Sequence, residues 1–484
     1  MHIRWIMRKT KIVATLGPAT DSPEILRELL KAGLDVARFN FSHGTHEEHI
    51  VRINALRQAC KDTGITVAFL ADTKGPEVRL GTFENNKAEL VCGDSFTLTT
   101  NDITGNSMRA GVTYKKLPDE VKTGTRILLD DGLIELVVES ITGTNINARI
   151  VNGGIISNRK SVNVPSVNLN IPYLCPKDRA DLRFIVENDF DMIAASFVRS
   201  AEDIKQIQNE LYRIDSSNKI KIIAKIEDSE GVANIDSIIQ ASDGIMIARG
   251  DLGVELEYEE LPVIQKDLIR RTLIQGKPAI TATQMLESMI VNPRPTRAEA
   301  SDVANAIYDG TSAVMLSGET AVGKYPVEAL AAMAKVAERI EKSIDYKERF
   351  RSTEHYSEAT ITNAISHATV TTAHDLNASA ILTVSLSGTT AQNVSKYRPT
   401  CPIIACTPCP VVRRQLQLNW GILPLITKEE TDTTALFNHA VQTALDAGCI
   451  NEGELVVLTA GVPVGHSGTT NMLKVHVVGE KILV

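Results

Sequence analysis

KIIAKIEDSEGVANIDSIIQASDGIMIARGDLG, residues 221–253, contains two short apolar runs, and each ends in charge. The first run, residues 220–226, is rich in β-branched residues, as a buried strand is, yet it carries Lys225 and is followed by Glu227. Strand side chains alternate between faces, so these two share one face at the strand's C-terminal end. A lysine beside a carboxylate in that position suits a phosphate and a metal ion. After a helical stretch the second run, residues 244–248, repeats the design and ends in Arg249, Gly250, Asp251 and Gly253. Glycines there let backbone approach a ligand closely, and Asp251 offers a second hard oxygen ligand. Each half also has a plainer reading, Lys225 and Glu227 as a structural ion pair and the glycine-rich segment as an ordinary turn. What lies on either side favours chemistry, because the pattern recurs.

Towards the N-terminus, runs at residues 11–16, 35–39 and 66–71 predict strands, with helices starting at Asp21 or Ser22 and spanning 45–61. Two of these strands run into polar sequence, RFNFSHG from Arg38 and DTKGPEVR from Asp72. Towards the C-terminus, strands are predicted at 191–195, 278–282 and 312–316, ending in Ser196 with Phe197, in Thr283 with Gln284, and in Ser317 with Glu319. A helix precedes the first of these at 177–188, and a capping box, Thr296 with Glu299, opens another. Eight strands with intervening helices predict a parallel (β/α)8 TIM barrel, in which the polar strand ends converge at one mouth.

Two segments break this series. From residue 81 to about 170 strands are short and turns frequent, notably at Asp131–Gly132 and Gly153–Gly154, which predicts an inserted all-β lid domain. After a helix at 325–344 comes a charged, irregular link at 345–356. Helices and strands then alternate (357–375, 379–386, 389–397, 402–406, 422–426, 455–459), which predicts an open α/β sheet domain. The expected division is 1–74 and 173–347 for the barrel, 75–172 for the insertion and 348–484 for the last domain. SGTT occurs twice in that domain, as Ser387, Gly388, Thr389, Thr390 and as Ser467, Gly468, Thr469, Thr470. Hydroxyls and amides in such turns suit a phosphate, and they also make good caps.

The totals set limits. A chain of 484 residues is too long for one core. Its net charge of −8 and the lack of any lysine or arginine cluster argue against a nucleic-acid partner. No run has the length of a membrane span, and MHIRWIMRKTK lacks the apolar segment of a signal peptide, so a cytoplasmic protein is expected. Seven widely spaced cysteines suit a reducing compartment, and the one CxxC, Cys406 with Cys409, has no second pair to complete a zinc site.

Gathered at one mouth, Arg38, Lys74, Arg79 and Lys225, the carboxylates Glu227 and Asp251, and the hydroxyls of Ser42, Thr73, Ser196 and Thr283 form an inventory for phosphoryl transfer. No phosphate-binding P-loop or kinase glycine-rich loop occurs, so cations and a metal must do that work. In family order, RFNFSHG, DTKGPEVR, AKIED, ARGDLG, TATQMLESM and MLSGETA resemble the motifs of the pyruvate kinases across nearly the whole length, and the insertion stands where that family has its lid. The resemblance implies transfer from phosphoenolpyruvate to ADP, giving pyruvate and ATP. It implies that Lys225 stabilises the moving phosphoryl group and that Glu227 and Asp251 bind Mg2+ or Mn2+. By the same resemblance Arg38, Ser196, Gly250 and Thr283 line the substrate site, with Thr283, through water, on the protonation side. Arg38, His43, Arg79 and Lys177 would serve the nucleotide, and Asn40, Ser42, Asp72 and Thr73 would hold K+. A homotetramer and a phosphorylated allosteric effector at the SGTT turns are further implications. Two alternatives remain, a carbon–carbon lyase acting through a metal-bound pyruvate enolate and a non-catalytic paralogue that binds sugar phosphates.

Overall fold

The computed structural model describes residues 8–165, 167–353, 358–463 and 470–482. Eight parallel strands close a barrel in chain order: Lys11–Thr15, Val36–Asn40, Ala68–Asp72, Met192–Ala195, Lys221–Ile226, Gly244–Ala248, Ala279–Ala282 and Ala313–Leu316, the last pairing with the first. The expected (β/α)8 fold is therefore present. The period of two is visible in the packing. Ile222, Ala224 and Ile226 join the cluster between strands and outer helices, whereas Ile223 joins Val13, Val36, Leu70 and Ala194 in a second cluster within the barrel.

One more residue step along the inward face changes the chemistry. Above the apolar interior layer, the first five strands present Thr15, Arg38, Asp72, Ser196 and Lys225, of which the first four are buried. The corresponding inward positions of strands six to eight are the apolar Ala248, Ala282 and Met315. Within this inward row polarity is thus confined to the first five strands.

The insertion has its own core, running from Val78 and Leu80 to Val162 and Val164. It contains a six-stranded sheet and a two-stranded one, with short helical turns at Glu84–Asn86 and Leu117–Glu120. The hairpin at Asp131–Gly132 joins strands Arg126–Leu129 and Ile134–Thr142, and both Asp130 and Asp131 take positive φ.

The C-terminal sheet orders its strands Ile422–Ile426, Ile403–Thr407, Ala380–Val384, Leu455–Ala460, Met472–Val477, the last running antiparallel. That edge strand and the helix Thr433–Asp446 lie outside the sequence expectation. So does the helix Tyr346–Thr353, where an irregular link was expected. Its apolar contribution is the pair Tyr346 and Phe350, one helical turn apart and each 6 % exposed. Cys406 lies in the sheet, where burial pushes its thiol up to about 12, consistent with a structural role for the CxxC.

This sheet domain packs against the bottom of the barrel, away from the polar mouth. Leu418 joins the cluster inside the barrel and closes its floor. Around it Lys11 Nζ donates to Ile422 O (2.8 Å), Arg414 pairs with Asp191 (2.7 Å), and Gln417 Nε2 donates to Thr66 O (2.8 Å).

Candidate active site

The five inward polar side chains form a chain of contacts. Thr15 Oγ1 accepts from Arg38 Nη1 at 2.8 Å, and Arg38 Nε donates to Asp72 Oδ2 at 2.7 Å. Ser196 Oγ donates to Thr73 O at 2.6 Å and lies 3.2 Å from Asp72 Oδ1. Lys225 Nζ then reaches Ser196 Oγ (2.7 Å), Asp72 Oδ1 (3.1 Å) and Glu227 Oε1 (3.0 Å). Lys225 thus bridges two buried carboxylates beside an open cavity, so the ion pair lies where chemistry could occur.

Charge is unevenly balanced across this row. Burial would raise Asp72, but Arg38 and Lys225 outweigh it and hold the carboxyl below its ordinary range. Burial would lower Lys225, and Asp72 with Glu227 overcomes that and raises it. Glu227 has only the shared lysine as a cation; burial, with Asp251 and Asp72 adding negative charge, pushes it up to about 7. Burial raises Asp251 too, against the attraction of Lys225. Two carboxyls held up chiefly by burial, with Asp251 repelling Glu227, form a donor set suited to a cation. No group of three or more His, Cys, Asp or Glu side chains among the described residues is arranged to hold an ion alone. Glu227 and Asp251 would therefore supply two ligands of a hard divalent ion, with the rest from substrate and water.

Backbone geometry fixes these groups. Phe197 takes a positive φ of 52°, which turns its N–H onto Glu227 Oε2 at 2.6 Å. Gly75 has φ 68°, and a Cβ there would lie 2.7 Å from Ser196 O, so both conformation and space require glycine where the chain leaves strand three. After strand six the glycine-containing segment, for which a turn was the plainer reading, forms a short helix, Arg249–Glu255, that begins at once and carries Asp251 in its first turn. Gly250 N donates to Thr283 Oγ1 at 2.7 Å, and Thr283, at φ 67°, donates to Ala282 O. Arg249 ties the two loops together by donating to Thr283 O (2.7 Å) and pairing with Asp302 (2.7 Å).

A cavity of about 300 Å3 opens over this row, lined by Arg38, Asn40, Ser42, His43, Asp72, Arg79, Ser196, Lys225, Glu227 and Asp251 among others. The sequence-derived site residues are thus largely brought together. Four stand apart from the lining. Thr73 Oγ1 turns towards Ala194 O (3.4 Å), and Gly250 pairs with Thr283 in the adjoining loops. Lys177 Nζ donates to Phe41 O (3.0 Å) and to Asp181 (2.6 Å). Asn40 Oδ1 accepts from Ser42 N (3.0 Å), which shapes the loop beside Arg38. Glu77 engages Arg79 through both carboxylate oxygens, each contact at 2.7 Å.

The inserted domain supplies residues that sequence reasoning missed. Asp130, Asp131, Lys160 and Ser161 all line the cavity, with Lys160 paired to Asp130 at 2.7 Å and Ser161 Oγ donating to Asp131 Oδ1 at 2.8 Å. The only signal for the aspartates was a hairpin tip, and Lys160 gave none. In the C-terminal domain Ser387 Oγ and Thr389 Oγ1 lie 2.9 Å apart, and Gly388 at φ 80° opens the helix Thr389–Ser395. Thr390 Oγ1 meets Thr470 Oγ1 at 2.9 Å, so the two SGTT stretches touch. Ser467 and Gly468 lie outside the described residues.

Comparison with known proteins gives a consistent picture. The family described as pyruvate kinase, barrel domain, matches residues 7–330, and pyruvate kinase, alpha/beta domain, matches residues 363–476. The chain is 50 % identical to a pyruvate kinase of Geobacillus stearothermophilus over 475 residues, which cover 98 % of this chain and 81 % of that one. It is 48 % identical to a pyruvate kinase of Clostridium acetobutylicum over 473 residues, covering 98 % and 100 %. A crystal structure of a pyruvate kinase from Cryptosporidium parvum superposes with a TM-score of 0.91 at 39 % identity, covering 98 % of this chain and 96 % of that one.

Proposed function

The chain belongs to the pyruvate kinase family of phosphotransferases, and from that premise we propose that the barrel-mouth cavity moves a phosphoryl group from phosphoenolpyruvate to ADP. The observation that carries the assignment of roles is Lys225 bridging Asp72 and Glu227 at the edge of a polar cavity. In the reaction the bond between phosphorus and the enol oxygen breaks while one to the terminal oxygen of ADP forms. The enolate left behind takes a proton at its methylene carbon to give pyruvate.

Negative charge spreads over the phosphoryl oxygens in flight, so the protein's task is positioning and fixed positive charge. Lys225 supplies that charge, preorganised by the carboxylates that hold its ammonium. Arg38, anchored by Asp72 and Thr15, and Arg79, held by Glu77, present guanidinium edges to phosphates. Glu227 and Asp251 would hold a divalent ion, which when bound adds positive charge beside the phosphoryl group and the enol oxygen. Asn40, Ser42, Asp72 and Thr73 are oxygen donors suited to K+. Thr283 stands on the protonation side, where its hydroxyl orients a water. Asp130, Asp131, Lys160 and Ser161 line the site from the side of the inserted domain.

A homotetramer in the cytoplasm follows from the same family reading. No helix of the described residues is long and apolar enough to cross a membrane. The touching SGTT stretches favour a phosphorylated allosteric effector bound by Ser387, Gly388, Thr389 and Thr390; Ser467 and Gly468, also expected to serve it, lie outside the described residues.

A coupled assay with phosphoenolpyruvate and ADP tests the main reading. ADP-dependent pyruvate release is expected, and ADP-independent cleavage of a carbon–carbon bond or no turnover would overturn it. For the effector, phosphoenolpyruvate saturation with several sugar phosphates and AMP should show a shifted half-saturation point. The shift should disappear in Ser387→Ala with Thr389→Val.

A further inference from the structure

A second polar cavity lies far from the barrel mouth, where the C-terminal domain meets the barrel floor. It is lined by Lys277 and Ser312 from the barrel and by Gln392, Lys396, Arg398 and Asn419 from the sheet domain, with a volume of about 10 Å3. Three of its lining side chains are cations, and no carboxylate lines it among the described residues.

The compensation available to these cations is incomplete. Arg398 is 3 % exposed and Lys396 8 % exposed, so water does not screen them. Arg398 Nη2 donates to Gly310 O (2.8 Å) and Ser312 Oγ (3.2 Å), and its guanidinium stacks 4.5 Å from the Trp420 ring. Its Nε–H, fully buried, has no acceptor among the described residues. Ser312 Oγ accepts both from Arg398 and from Ala279 N (3.3 Å), which leaves its own proton free to donate. Glu341 acts on Arg398 from a distance, but its carboxylate oxygens take the N–H groups of Lys9 (2.9 Å) and Thr10 (2.6 Å). Glu358 and Asp243 attract Lys396 and Lys277 from a distance, but in direct contact Lys396 Nζ donates to Asn363 Oδ1, a neutral partner, and Lys277 Nζ donates to the carbonyls of Ile239, Gln240 and Ser242. Burial lowers all three groups, Lys396 to about 8, and for Arg398 the nearby Arg349 adds to the effect.

We propose that this seam binds a monatomic anion of the halide class, held by the Arg398 Nε–H and the Ser312 hydroxyl under the charge of Lys396 and Lys277. A buried donor without an acceptor leaves its desolvation uncompensated, the more so when it is charged, so an anion that fills the role relieves a real deficit. The volume excludes a phosphate, and a chloride or bromide, being larger than the water-sized sphere that about 10–15 Å3 admits, enters as the flexible lysine ends give way. The anion ties the barrel to the sheet domain at the C-terminal end of the helix Thr389–Ser395, opposite the SGTT turn at its start.

The test is crystallographic and thermal. Crystals of the full chain grown with bromide in place of chloride should show an anomalous peak between Arg398 and Ser312. In solution, chloride or bromide should raise the thermal midpoint by about 1–2 °C over methanesulfonate at equal ionic strength. Lys396→Met should abolish both the peak and the halide-specific shift. Density for water alone in the wild-type crystals, or equal midpoints in all three salts, would overturn the proposal even if the variant failed to fold.

Discussion

Replacing Lys225 with methionine keeps the aliphatic stem and deletes one ammonium, and its effects on stability and turnover can be worked separately. The side chain is 11 % exposed, and its ammonium lies 3.0 Å from Glu227 and 3.1 Å from Asp72. Deleting one partner of a buried ion pair costs about 3–5 kcal/mol. Two carboxylates losing one cation argues for the top of that range, but two observations pull it down. Asp72 keeps Arg38 at 2.7 Å, and Glu227, already pushed up to about 7, can take a proton near neutral pH in place of the lysine. We expect a loss of about 3 kcal/mol, with a single cooperative transition retained. Turnover should suffer more, because a cation acting on a phosphoryl transition state is worth about a thousandfold or more, equivalent to about 4 kcal/mol of barrier. Coupled turnover at saturating substrates, with thermal melts followed by circular dichroism, reads the two effects apart. A folded variant that keeps a tenth of wild-type turnover has lost only about 1.4 kcal/mol of barrier, which removes Lys225 from its assigned role.

Asp251→Asn deletes one of two carboxylates offered to a divalent ion, so the Mg2+ concentration for half-activation should rise on the order of tenfold, about 1.4 kcal/mol; an unchanged titration would place the ion elsewhere. Activity should depend on K+, because Glu77 neutralises Arg79 and leaves the phosphates short of fixed charge, and Glu77→Lys should reduce that dependence. Full wild-type turnover with tetramethylammonium as the only monovalent cation would refute this. At the barrel floor, burial raises Asp191 to about 6 despite Arg414. A folded value above the unfolded one means its stabilising contribution is full below about 3.8 and is lost as pH rises through about 6. Asp191→Asn should remove about 1 kcal/mol of the pH dependence between pH 5 and 7.5; denaturant midpoints of both proteins at those two values decide it, and parallel curves would rule it out.

What could be read in advance follows from the range of the forces involved. Ile223, Lys225 and Glu227 share a face through a local rule of alternation, and the same rule delivers Arg38, Asp72 and Ser196 to one mouth. The helix Tyr346–Thr353 was not legible because its apolar pair, Tyr346 and Phe350, matters only against partners far along the chain, such as Trp420, 5.4 Å from the Tyr346 ring. Lys160 and Asp130 line the cavity because an insertion with its own core lays them over the barrel, which no local pattern encodes. The helix Arg249–Glu255 was not legible because its two glycines weaken the helix signal, while packing of Leu252, which is fully buried, overrides propensity.

Leu418 gives the barrel a history as well as a floor. During synthesis the eighth strand, ending at Leu316, leaves the ribosome about a hundred residues before the side chain that completes the interior. At about 5–20 residues per second, roughly 5 to 20 seconds pass in which the nascent barrel can pair all its strands while its underside stays open to solvent. Over that interval Val13, Ala68 and Met192 belong to a core still waiting for its last member, so the last quarter of the chain acts on the first three as a late-arriving folding factor carried on the same polypeptide.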